Sequence, residues 1–313
     1  MYFPYLRGRQ FELIAIRELS EQEKLYNTVI PIIEPVKLSS TLSSTISTCQ
    51  EKGNKIAVMM NPQVGSLLTD AKKDKTGKKL NELRSLIIES DIAIKAIIAS
   101  KDSKETLREL NDAGINTSDI LVIYQNRDYI DDYDEVFERK EKYNVVPYDS
   151  SFRRIRGKRI LIADRFNAVK KERNSDYADK PDEFFSDDQV FYTEDGYIGF
   201  SDFSIVGQDY QETGFAPYAV AIHIVYFDDS KNLRIHHFVS DSNDDINDPA
   251  NKFYEAVTKL VKWNEEKELD TIGLKKFEEL YHTGAYPGLG VVKKLSIMHH
   301  LELVGKYLEE KEK

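Results

Sequence analysis

"RILIADRF", residues 159–166, decides how the rest of the chain is read. Four apolar or aliphatic positions run on without alternation, and the chain then turns charged at Asp164 and Arg165. A half-buried strand alternates apolar and polar side chains. A continuous apolar run of this length, with a polar end, suits a strand covered on both faces. The same form recurs in "VIPIIEPV" (29–36), "KIAVMMNP" (55–62), "IKAIIAS" (94–100), "ILVIYQN" (120–126) and "NVVPYDS" (144–150).

Amphipathic helical patterns lie between most of these runs. "FELIAIRELSEQEKLYN" places apolar residues at 11, 13, 14, 16 and 19. "GKKLNELRSLIIES" and "SKETLRELNDAG" read alike, the second stopping at Gly114, and "YIDDYDEVFERKEKY" reads as a highly charged helix with a solvated face. Strand and helix in turn predict βαβ units on a parallel sheet. With "YFPYLRG" (2–8) as the first strand and "GYIGFSDFSIVG" (196–207) as the last, there are eight. The expected fold is α/β, a (β/α)8 TIM-barrel-like core, and the alternative is an open doubly wound parallel sheet.

The rhythm stops after Asp164. Residues 167–195 read as a long polar and aromatic connection. "PYAVAIHIVYFDD" (217–229) and "NLRIHHFVSD" (232–241) alternate, and predict a β-hairpin. The remainder is helical: 248–268, 274–284, and a last helix from about Val291. The expected organisation is a single α/β domain over 1–313, with a barrel-like core at 1–207 and a hairpin and helical part at 208–313.

The formal charge of −10 argues against a general grip on nucleic acid, which needs a basic surface, and leaves room for a local basic groove. A lone cysteine, Cys49, excludes an internal disulfide and a cysteine-based zinc site. The N-terminus has no signal-peptide pattern and no apolar run approaches the roughly 20 residues that span a bilayer, so a soluble, cytoplasmic protein without membrane contact is expected.

In parallel α/β folds, functional groups gather where strands end. The strand ends here offer Arg7, Glu34, Lys37, Asn61, Ser100, Gln125, Asp149, Asp164, Arg165 and Asp202. Two readings follow. In one, Arg7, Lys37, Asn61 and Arg165, with Lys293 from the last helix, bind an anionic ligand such as a nucleotide or a nucleic-acid end. In the other, Glu34, Asp164 and Asp202 are catalytic, holding a divalent cation for phosphodiester or other hydrolysis, with Arg7 and Lys37 on the phosphate. A third reading makes the rim a neutral salt-bridge network on a structural scaffold.

Elsewhere, "KKERNSDY" (170–177) supplies a basic and aromatic loop that could close on an anion. His223 and His237 can meet across the predicted hairpin, since His236 and His237 point to opposite faces. "TGAYPGLGVVKKLSIMHH" (283–300) lacks both phosphate-loop spacings. It reads as a turn into a packed helix, whose free N–H groups, with Lys293 and Lys294, could attract an anion.

"YLRGRQFELIAIRE", "PIIEPVK", "GFSDFSIVG", "PYAVAIHIVY", "HHFVSDSN" and "YPGLGVVKKLSIMHHLEL" together resemble an uncharacterised bacterial family, distantly related to the phage beta-protein family. The resemblance spans nearly the whole chain. It implies a protein partner, a neighbour similar to a PD-(D/E)XK nuclease, and a setting in anti-phage defence. No catalytic residue carries over from it.

Overall fold

The computed structural model describes residues 1–67, 69–70, 76–212 and 217–312. Eight parallel strands form the main sheet in the order β1 (Tyr5–Leu6), β2 (Ile32–Ile33), β3 (Ile56–Met59), β4 (Ala93–Ile98), β5 (Leu121–Ile123), β6 (Tyr143–Pro147), β7 (Arg159–Ile162) and β9 (Gly199–Ser201). The chain reaches them in that order, so each crossover leads to the neighbouring strand. This is a barrel progression and not a doubly wound one.

The last strand comes round to the first. Tyr2 bridges Phe200 in parallel, and the N–H groups of Phe3 and Tyr5 donate to the carbonyls of Phe200 and Asp202, each at 2.8 Å. Gly199 makes this approach possible. A Cβ there would stand 2.7 Å from the Met1 carbonyl oxygen and 2.8 Å from the Phe3 ring.

Alternate residues of each strand enter two different cores, as the two-residue period requires. Tyr5, Ile32, Met59, Ile123, Val145 and Phe203 belong to the inner cluster that fills the barrel. Leu6, Ile33, Val58, Val122, Val146 and Phe200 pack outward against the helices. Both faces are covered, which is why these segments read as unbroken apolar runs.

Helices α1 (Gln10–Glu21), α3 (Lys78–Glu89) and α4 (Ser103–Asp112) lie close to the sequence expectation, and α2 (Ser40–Lys52) joins β2 to β3. Residues 129–143 do not form the expected charged helix. Only α5 (Asp132–Glu135) is helical there, and Glu138 and Arg139 both take positive φ. Tyr133 and Phe137 are buried there all the same, and the positive φ of Glu138 and Arg139 breaks the helical path after them.

A second, antiparallel sheet has the order β10 (Ala221–Phe227), β11 (Leu233–Val239), β8 (Asp182–Ser186). The hairpin follows the sequence expectation. Its third strand comes from inside the long 167–195 connection, which also holds α6 (Arg165–Val169) and α7 (Asp188–Phe191). The small sheet therefore interleaves in sequence with the barrel core.

Three helices follow. α8 (Pro249–Lys267) starts at Asp248, whose carboxylate accepts from the Asn251 N–H. α9 (Ile272–Thr283) starts at Thr271 and stops at the left-handed Gly284. α10 (Leu289–Glu312) comes last. Helix α10 packs against α1, α9 and β10, and so ties the barrel to the small sheet. Among the described residues, no helix is long and apolar enough to cross a membrane.

Candidate functional site

Six of the expected rim residues keep to the strand ends, but internal partners occupy most of them. Arg7 and Glu34 form an ion pair, and Glu34 is fully buried. The second Glu34 oxygen accepts from the Gln63 N–H at 2.7 Å, and the Tyr5 hydroxyl donates to the first at 2.7 Å. Arg7 also donates to the Gln208 carbonyl at 2.5 Å. The Asn61 side chain pairs with both backbone groups of Ile98, donating to the carbonyl at 2.8 Å and accepting from the N–H at 2.9 Å. It is thus spent on holding β3 to β4. Asp164 caps α6 through the Asn167 N–H at 2.9 Å and accepts from the Gln208 N–H at 2.7 Å. Arg165 forks onto both oxygens of Asp188. Lys37 is exposed, 4.0 Å from Glu212.

Asp202 stands apart from Glu34 and Asp164. It is two residues past Phe200, on the outer face of β9. There its Oδ1 accepts from the Tyr2 hydroxyl at 2.6 Å and the Ser204 N–H at 2.8 Å, while Oδ2 faces His300. The divalent-cation triad of Glu34, Asp164 and Asp202 is therefore not assembled. Among the described residues, no group of three or more His, Cys, Asp or Glu side chains is placed to hold a metal ion.

The barrel mouth contains a cavity of about 580 Å³. Asp164, Asp187, Asp188 and Asp195 line it with a single cation, Arg165, which Asp188 already neutralises. Such a lining repels an anion.

A larger cavity, about 950 Å³, lies elsewhere. Its walls are the loop after α6, the first hairpin strand and the start of α10. Lys170, Lys171, Arg173 and Lys293 line it, with Glu172 as the one acid. Lys170 is paired with Asp209 at 2.9 Å and Lys171 with Glu183 at 2.8 Å. Among the described residues, neither Arg173 nor Lys293 forms an ion pair. Apolar and aromatic surface fills the rest: Phe166, Tyr177, Ile205, Tyr218, Leu289 and Val292.

Three separate sequence features meet at this cavity. "KKERNSDY" supplies one wall, and the turn before α10 brings Lys293 to another. Between them lies His223, whose Nδ1 is 2.8 Å from Nδ1 of His237 across the hairpin. The loop expected to close on an anion folds over the small sheet, where Tyr177 packs on both imidazoles at 4.7 and 4.5 Å between ring centroids. Sequence reasoning missed β8, and with it Glu183, which stands behind His237. "DEFFS" does not alternate apolar and polar residues, and it buries Glu183 while exposing Phe184, so no period-two signal marks it.

His299 and His300 diverge, as neighbours on a helix must. His299 donates from Nε2 to the Val225 carbonyl at 2.7 Å and pairs through Nδ1 with Thr271 at 2.8 Å. His300 turns to the barrel, where its Nδ1 is 3.0 Å from the Ser204 hydroxyl.

No family model, no curated protein and no solved structure matches this chain.

Proposed function

We propose that this protein binds a small anionic ligand of nucleotide size in the 950 Å³ cavity between the post-α6 loop, β10 and α10. The supporting observation is a local reversal of charge. A chain of net charge −10 places four cations and one acid around this cavity, and among the described residues two of the cations, Arg173 and Lys293, form no ion pair. The volume is within the range of small-molecule sites, and apolar walls with a few converging polar groups are their usual lining. The proposal differs from the rim site expected from the strand ends. At the rim the cations Arg7 and Arg165 are consumed by Glu34 and Asp188, and the open surface is acidic.

The nuclease-like protein partner and the anti-phage setting belong to this reading as its context. Their support is the sequence resemblance alone. In that context the ligand would report a cellular state to the partner.

Calorimetry with nucleoside mono- and diphosphates tests the proposal, with Lys293→Ala and Arg173→Ala beside the parent protein. Binding that weakens in both variants supports it. Absence of binding, or binding that neither variant alters, removes it.

A further inference from the structure

The small sheet carries a line of three side chains toward the cavity: Glu183 on β8, His237 on β11 and His223 on β10. The 2.8 Å contact between the two Nδ1 atoms requires one imidazole to donate and the other to accept. The choice is made one step further back. Nε2 of His237 is sealed from solvent without a hydrogen-bond partner, and it faces Oε1 of Glu183 at 3.7 Å. That distance is too long for a hydrogen bond. It is short enough, in a buried setting, for a carboxylate to attract an N–H and repel a lone pair.

The other charges nearby do not reverse this. Lys171 sits on the same Glu183 oxygen at 2.8 Å, and among the charged groups around His237 Glu183 acts most strongly, ahead of His236 and Lys171. Lys180 holds the second Glu183 oxygen at 2.6 Å. Asp182 is engaged by Tyr226, Arg234 and His236. His237 thus carries its proton on Nε2 and accepts at Nδ1. His223 donates from Nδ1, and its Nε2 is left with a free lone pair. Among the described residues nothing hydrogen-bonds to that atom, and His223 lines the cavity. Phe166 and Tyr177 pack on its ring at 5.2 and 4.7 Å and fix its direction.

We infer that His223 Nε2 is the hydrogen-bond acceptor of this site, and that the ligand is a nucleotide whose base donates an N–H to it while Arg173 and Lys293 hold the phosphate. The inference rests on the anion-binding reading of the cavity and deepens it. An inorganic anion would use the cations alone. A ligand with an aromatic ring and an N–H would also use the Phe166 and Tyr177 surface and the His223 acceptor.

The test is long-range proton–nitrogen correlation on protein labelled with nitrogen-15 at histidine. His223→Gln identifies the His223 signals. The expected free protein has Nδ1 of His223 protonated and Nε2 bare. Adenosine monophosphate is expected to shift that Nε2 signal, and inorganic phosphate to leave it in place. His223→Gln is expected to weaken the monophosphate about tenfold, as loss of one good hydrogen bond does, without altering phosphate binding. A proton on Nε2 in the free protein overturns the inference, as does nucleotide binding that leaves the His223 signals unmoved. If calorimetry finds neither nucleotide nor phosphate bound, the anion-binding reading fails first and takes this inference with it.

Discussion

Nε2 of His300 stands 3.8 Å from Oδ2 of Asp202, both side chains sealed between the barrel wall and the last helix. Asp202 ends β9 and His300 is in the middle of α10, so this pair is where the barrel meets the helical part of the chain. Ser204 joins them. Its N–H donates to Asp202, its hydroxyl meets His300, and its backbone is held at a φ of 50°, in the left-handed region that a serine adopts at a cost.

Stability is expected to fall on acidification from pH 7 to pH 5. Burial pushes His300 down to about 3 and His299 down to about 4. Their contribution is complete above the unfolded value near 6.5 and is lost as pH falls toward the folded values, at about 2 kcal/mol per histidine by pH 5. Asp202 acts in the opposite sense. Burial raises its carboxyl to about 6, so its contribution is present at low pH and lost as pH rises through that value. It offsets roughly 1 kcal/mol over the same interval. Denaturant melts at the two pH values check the sum. A protein more stable at pH 5 would show that the histidines are not buried neutral.

His300→Gln should remove about 2 kcal/mol of this dependence, and Asp202→Asn should steepen it. The remaining slope then belongs to the other histidines that burial lowers, His299, His223, His236 and His237, of which His237 is held at about 4. An unchanged slope in His300→Gln would move the acid sensitivity away from the β9–α10 contact.

Arg7→Met is expected to cost about 3–5 kcal/mol, because it leaves the Glu34 carboxylate buried and uncompensated. Adding Glu34→Gln should recover part of that loss. Nucleotide affinity of the double variant should match the parent, since both residues lie outside the proposed cavity. Lost binding in a folded double variant would return the ligand to the barrel rim.

Gly199→Ala should destabilise by about 1–3 kcal/mol, the usual cost of forcing atoms into a filled space. The new Cβ meets the Met1 carbonyl and the Phe3 ring where the last strand approaches the first. Urea midpoints measure it. A neutral effect would mean that this closure is looser than its hydrogen bonds indicate.

Lys293→Ala and Arg173→Ala should each lower nucleotide affinity about tenfold at low salt, and the difference from the parent should shrink as salt screens the charges. Titration at two ionic strengths reads this directly. Equal losses at both would point to packing instead of charge.

The sequence by itself determined the strands of the main sheet and their order of appearance. A strand buried on both faces must be apolar throughout, so runs such as "ILVIYQN" and "RILIADRF" announce themselves in one dimension. The hairpin, with its two-residue period, does the same. Strand direction also placed Arg7, Glu34 and Asp164 near one rim. What only the tertiary structure decided is how the charges are shared. Arg165 finds Asp188, 23 residues away, and Lys170 finds Asp209, 39 residues away, and no local pattern encodes such pairings. Asp202 was expected beside Glu34 and Asp164, but the pleat turns it outward to Tyr2 and His300. The cavity is a still clearer case. Its walls come mainly from 166–177, 205–211, 217–223 and 289–296, segments that packing alone brings together. Burial of one side chain is a local demand and leaves a mark in sequence. The space left between packed elements is a property of their arrangement, and no single segment carries it.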